Sequence, residues 1–160
     1  MDRPLRPPSA PARPTPLTPA EISALMRVAS GLSAKEAAVE LGVKVLTVHA
    51  HMRTAGNKLY AASAPTKVHN AYLNGQLPAP EPVEPPEGLT DEDRQLIRAV
   101  ATCALMPDVA EAAGLLPGEV SARLKDLMSR TGARSHPHLV HLGFAYRILH
   151  PASEPGPGTA

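Results

Sequence analysis

The landmarks of residues 17–77 return 72 positions later without a gap, and no other feature limits the fold so strongly. Leu17-Thr18 is matched by Leu89-Thr90, Glu21 by Asp93, Ala38 by Ala110 and Gly42 by Gly114. Val48 is matched by Val120, Ser63 by Ser135 and Val68 by Val140. These identities are sparse, but they fall where helices start, stop or pack, so an internal duplication is the economical reading. Between the copies, residues 78–88 hold five Pro with Glu81, Glu84 and Glu87. Such a segment reads as a stiff polyproline-like linker, with a reach of about 34 Å at ~3.1 Å per residue. Residues 1–16, rich in Pro and Arg, and 151–160, rich in Pro and Gly, lack periodicity and are expected to be disordered.

Within the first copy, Thr18-Pro19-Ala20-Glu21 has the order of a capping box with Pro at the first helical position. Ile22, Leu25, Met26 and Ala29 then keep helical spacing as far as Gly31. A second box, Ser33-Ala34-Lys35-Glu36, opens a short helix through Ala37, Ala38 and Leu41 that stops at Gly42. A third helix is expected from about Val45 to Leu59, burying Val48, Met52, Ala55 and Leu59. A fourth runs from near Pro65 to Gly75, with Val68, Ala71 and Tyr72 inward. Aromatic residues make up 2% of the chain, with no Trp, one Phe and three Tyr. A core of Leu, Val, Ala, Ile and Met suits small helical units. The expected fold is all-α, with two tandem four-helix units (17–77 and 89–150) joined by the Pro/Glu-rich linker.

Two short helices meeting at Gly42, with Ala38 before it and Val48 after it, form the skeleton of a helix-turn-helix. A small residue at 38 permits close approach, and Gly42 supplies a positive φ for the tight turn. Such packing leaves the outer face of the second helix of the pair free for the DNA major groove. Net charge over the chain is only +1, yet its distribution is uneven. Residues 17–77 carry Arg27, Lys35, Lys44, Arg53, Lys58 and Lys67 against Glu21, Glu36 and Glu40, whereas acids and bases cancel over 89–150. The basic excess favours the first half as a nucleic-acid contact.

Residues 17–77 resemble the LuxR/GerE-type helix-turn-helix domain of bacterial transcription regulators. The resemblance rests on Leu17-Thr18-Pro19-Ala20-Glu21, Gly31-Leu32-Ser33-Ala34-Lys35-Glu36-Ala37-Ala38, Leu41-Gly42-Val43, Thr47-Val48-His49-Ala50-His51 and Asn57-Lys58-Leu59. It implies a four-helix unit that binds double-stranded DNA with residues at the start of its third helix. The family's usual Thr-Val-Lys-Val-His has His49 and Ala50 here. Arg53 takes the place of a common basic contact, and Thr47 and Lys58 match positions that meet the phosphate backbone or cap the helix. The sequence departs from the pattern at Tyr60, where Gly is usual, at Ala62, where an Arg is usual, and at Gly56, which costs roughly 1 kcal/mol of helix propensity.

The second copy looks like a degenerate relative. Its third helix is expected to begin at Pro117, with Ser121, Ala122 and Lys125 where His49, Ala50 and Arg53 lie in the first. Gly132-Ala133-Arg134-Ser135 keeps the family's Gly-x-Arg-Ser junction. Lys125, Arg130 and Arg134 remain candidates for phosphate contact, opposed by Glu119 and Asp126. The expected DNA-binding set is therefore Thr47, His49, Ala50, Arg53, Lys58, Ser121, Lys125 and Arg134.

Two function classes stand. One is a sequence-specific transcription regulator of the cytoplasm, reading the major groove with the third helix of the first unit. The family's usual receiver or ligand-sensing domain is not seen in the residues before Leu17. In that reading two linked units act as a covalent pseudo-dimer, spaced by about one DNA turn. The other is a module that holds another regulator or the transcription machinery. In either, the apolar faces Val68/Ala71/Tyr72 and Leu139/Leu142/Phe144/Ile148 serve homodimerisation or pack on each other. Arg3, Arg6 and Arg13 are either a minor-groove arm or solvated. No enzyme, cofactor or metal site is expected: His136, His138 and His141 lack completing ligands, and Cys103 reads as a small apolar residue that excludes an intrachain disulfide. No segment has the length and apolarity of a membrane span.

Overall fold

A computed structural model describes residues 15–150, and Arg3, Arg6, Arg13 and the tail 151–160 lie outside the described residues. These residues form eight α-helices and, among them, no strand. The helices are α1 (Pro19–Ala29), α2 (Ala34–Leu41), α3 (Val45–Leu59), α4 (Ala64–Leu73), α5 (Asp91–Thr102), α6 (Met106–Ala113), α7 (Val120–Thr131) and α8 (His136–Ala145). Local chemistry sets most of the boundaries. Thr18, Ser33 and Thr90 each accept a backbone N–H at the third helical position, and Glu21, Glu36 and Asp93 there reach back to the capping residue's own N–H. Gly42 ends α2 at φ 68° and ψ 32°, and Gly114 ends α6 at φ 70° and ψ 30°. Both are left-handed values that a residue without Cβ adopts without strain.

One stretch departs from the expected helix. Pro117–Glu119 forms a 3₁₀ turn, and the α-helix begins only at Val120. Pro117 has no N–H to donate and Gly118 is a poor helix former, so this turn closes with the tighter pattern. Consequently α7 has 12 residues where α3 has 15.

The Pro/Glu segment does not hold two bodies apart. Buried residues from α1 to α8 form one continuous apolar cluster. Helix α4 packs on α8 and α5, and α1 also touches α8. Leu77, at the start of the connection, is buried, and Val83 donates its N–H to the Ala145 carbonyl at 2.9 Å. The segment thus runs back along α8. The reason is apolar: Val68, Ala71 and Tyr72 on α4 and Leu139, Val140 and Phe144 on α8 are all buried. Removing two such faces from water outweighs the stiffness of a few prolines, at roughly 25 cal/mol per Å² of apolar surface.

Candidate nucleic-acid interface

The site begins with how α3 is held. Ala38 is 3% exposed and lies under the turn, and the Val43 N–H donates back to the Ala38 carbonyl at 3.0 Å. Val48, Met52, Ala55 and Leu59 are buried against α1 and α2. This fixes the rotation of α3 about its axis and sends Leu46, His49, Ala50, Arg53 and Asn57 outward, at spacings of three and four residues. Leu46 is 78% exposed.

The charge at this face is positive. No acid lies in the first turn of α3, and Lys44 occupies its capping position. None of the ion pairs among the described residues uses Lys44, His49 or Arg53. Arg53 therefore has its donors directed to solvent beside His49, one helical turn away. An exposed helix with an unpaired guanidinium and an imidazole can enter a major groove and meet acceptor edges there. Sequence patterns did not single out Lys44 or Leu46, because a capping position without a capping side chain and an exposed Leu both lack a local signal.

The other expected residues are placed differently. Thr47 is half-buried in the first turn of α3. Lys58 turns away from the outer face and puts Nζ 2.6 Å from Glu21 Oε1 on α1. Glu21 is 3% exposed; burial pushes its carboxyl up, but hydrogen bonds from Lys58 and the Thr18 N–H together hold it below the usual range. Arg134 reaches Glu36 Oε2 at 3.3 Å, joining the start of α8 to α2 across the surface. Ser121 and Lys125 are exposed on α7 but line, with Met106, Leu124, Met128 and His136, a cleft of about 340 Å³ between α6, α7 and α8. Glu119 stands just before α7 and Asp126 within it, bonded to Arg130. The structure thus brings His49, Ala50 and Arg53 together on one outward face. Lys58 and Arg134 are bound into intramolecular pairs.

His138 Nδ1 accepts the Arg134 N–H at 3.0 Å, and His141 Nδ1 is 2.6 Å from the Tyr72 hydroxyl. Both rings serve contacts around α8, and no group of three or more His, Cys, Asp and Glu among the described residues is arranged for a metal. No helix among them is long and apolar enough to cross a membrane.

The arrangement defines a helix-turn-helix unit. Residues 15–71 match the family model described as bacterial regulatory proteins, luxR family, so this part of the chain is similar to the GerE/LuxR-type domain. No curated protein and no solved structure matches the chain.

Proposed function

We propose that the chain is a sequence-specific transcription regulator that binds duplex DNA and reads the major groove with α3. The observation that carries this reading is the outward stripe of His49, Ala50 and Arg53, unpaired and basic, on a helix whose rotation is fixed by Val48. Arg53 offers two donors to guanine O6 and N7, and His49 one donor to a base acceptor or phosphate. Leu46 meets a thymine methyl. We further infer that α5–α8 descend from a duplication of α1–α4 and act as a supporting half, with Ser121 and Lys125 limited to backbone contact. Support comes from the capping boxes at Thr18 and Thr90 and from the left-handed glycines 42 and 114. The test is an electrophoretic shift on a duplex selected from a random pool by the purified protein. Arg53→Ala together with His49→Ala is expected to weaken binding at least tenfold, each lost base contact being worth about 1–3 kcal/mol. Unchanged affinity would remove α3 from the reading role.

One feature favours a second reading, a module that holds another protein. The α6–α8 cleft is apolar, lined by Met106, Leu124 and Met128, with exposed Leu105 and Leu116 nearby in the chain. Absence of any shift at ~50 mM salt, where phosphate contacts are strongest, with a transcription subunit retained instead, would favour it.

A further inference from the structure

Tyr72 and Phe144 are 72 positions apart and touch each other, with ring centroids 4.7 Å apart. A residue that contacts its own equivalent lies on a two-fold axis, as in a symmetric dimer where the same patch meets itself. The neighbouring rings repeat the relation. His69 meets Phe144 at 5.7 Å with planes inclined by 35°, and Tyr72 meets His141, the equivalent of His69, at 5.9 Å and 39°. Each of these pairs becomes the other when the two halves are exchanged. Around this point the helix contacts obey the same exchange, since α4–α8 maps onto itself and α4–α5 onto α8–α1, whereas α3 packs broadly on α1 and α4, and α7 does not pack to that extent on α5 or α8.

We propose that one copy of this chain takes the place of a two-fold dimer on DNA, and that the element it selects is correspondingly non-palindromic. The inference rests on the DNA-binding reading above. In a symmetric dimer, palindromy of the site mirrors identity of the two reading helices. Here α7 is the sequence counterpart of α3, 72 positions on, and the two helices differ in side chain at two of the three reading positions and in how they pack on their neighbours. His49, Ala50 and Arg53 on one correspond to Ser121, Ala122 and Lys125 on the other, apart from the shared alanine. The approach to α7 carries Glu119 and a 3₁₀ turn, where α3 begins after Lys44. One half of the element is therefore read by base contacts, and the other contributes backbone contacts at most.

The α4 and α8 faces that a homodimer needs are already consumed. Val68, Ala71, Leu139, Val140 and Phe144 are no more than 1% exposed, and Tyr72 is 6% exposed. A second chain has no equivalent apolar face to meet there without opening the fold.

The test uses the full chain and short duplexes of random sequence, selected through several rounds. The recovered sequences are aligned, and the mass of the complex with the best duplex is measured by native mass spectrometry or sedimentation. A non-palindromic motif with one chain per duplex is expected. Arg53→Ala should alter the motif and weaken binding tenfold or more, whereas Lys125→Ala should leave the motif unchanged and cost under about threefold. Both residues are exposed, and circular dichroism checks that each variant keeps its helices. A palindromic motif, or two chains per duplex, overturns the proposal while leaving DNA binding intact. Failure to bind any duplex at ~50 mM salt overturns the DNA-binding reading itself and this inference with it.

Discussion

Lys58 Nζ stands 2.6 Å from Glu21 Oε1, fastening the end of α3 to the start of α1 through a carboxylate that is almost fully buried. The relation recurs at the same sequence separation in the other half, where Arg130 holds Asp93 through two hydrogen bonds of 2.8 and 2.9 Å. In each case one acid completes a capping box and receives a cation from the third helix, so a single side chain sets both the start of one helix and the position of another. Lys58→Met leaves the Glu21 carboxylate buried with only backbone partners. Stability should fall by roughly 2 kcal/mol, since a charged hydrogen bond contributes about 1.5–3 kcal/mol and an abandoned buried charge adds to the loss. Urea unfolding followed by circular dichroism measures it. Adding Glu21→Gln should recover part of the loss, and strict additivity of the two changes would argue that the pair does not couple.

Among the described residues, two adopt left-handed backbone without being glycine: Tyr60 at φ 53° and Arg147 at φ 61°. Each stands 72 positions from a glycine that adopts the same conformation, Gly132 at φ 77° and Gly75 at φ 71°. The turns after the third and fourth helices of each half therefore take positive φ, and in each half glycine holds one of the two positions and a residue with a Cβ the other. Tyr60 is 81% exposed, so its side chain contributes little packing. Tyr60→Gly should raise stability by about 0.5–1 kcal/mol, the left-handed strain of an L-residue exceeding the added freedom of the unfolded chain. The converse change, Gly132→Ala, should lower it by about 1 kcal/mol. A higher urea midpoint with unchanged slope is the expected readout for Tyr60→Gly. A lower midpoint would mean that the tyrosine ring does something its exposure does not reveal.

Much of the helix pattern is legible because it is local. Thr18, Ser33 and Gly42 announce helix ends through chemistry within three or four residues, and α3 runs over the expected span, Val45–Leu59. Distant partners are not legible in this way. Glu21 and Asp93 are fully accounted for as capping residues, so nothing in the sequence asks for Lys58 or Arg130 as partners. Gly56 reads as a defect in α3, but a Cβ there would lie 2.5 Å from Lys67 Cε and 2.7 Å from the Ala61 carbonyl oxygen. The glycine admits a close crossing of α3 and the chain leading to α4. Likewise, the proline-rich composition of 78–88 describes an isolated segment, whereas its course is set by the apolar faces of α4 and α8. Of the outward face of α3, His49 and Arg53 are visible through the resemblance. The diversion of Lys58 and Arg134 into ion pairs is not, because it depends on acids 37 and 98 positions away.

Acid should destabilise the packing of α4 on α8. Burial pushes His69, His136, His138 and His141 below their ordinary value of 6.5. Burial also pushes the Tyr72 hydroxyl up to about 12, so it stays protonated and donates to an unprotonated His141 Nδ1. The folded state thus favours neutral imidazoles, while the unfolded chain takes up protons near 6.5. Their contribution is complete above that value and erodes as the pH falls through the lower folded-state values. Below the ordinary carboxylate range, protonation of Glu21 and Asp93 adds a second loss of the same sign. The melting temperature should drop between about pH 7.5 and 5. His141→Asn, which keeps an acceptor but does not titrate, should flatten part of that drop. An unchanged melting temperature over this interval would show that these rings titrate alike in the folded and unfolded states.

The division of labour among cations on and near α3 can be resolved by salt. Each phosphate neutralised by a lysine or arginine contributes about 0.9 to the slope of log affinity against log salt on duplex DNA. Lys44 caps α3, is exposed and has no ion-pair partner among the described residues. Lys44→Ala should lower affinity alike for all sequences and reduce the slope by about one. Arg53→Ala should instead discriminate among sequences, with a loss of about 1–3 kcal/mol on the preferred site and much less on others. Lys58 carries the same formal charge, yet that charge already faces Glu21. A Lys58→Met protein, assayed at a temperature where it remains folded, should therefore keep the parental slope. Titrations at several salt concentrations distinguish the three, and a slope reduced by one in Lys58→Met would show that the pair with Glu21 opens when DNA arrives.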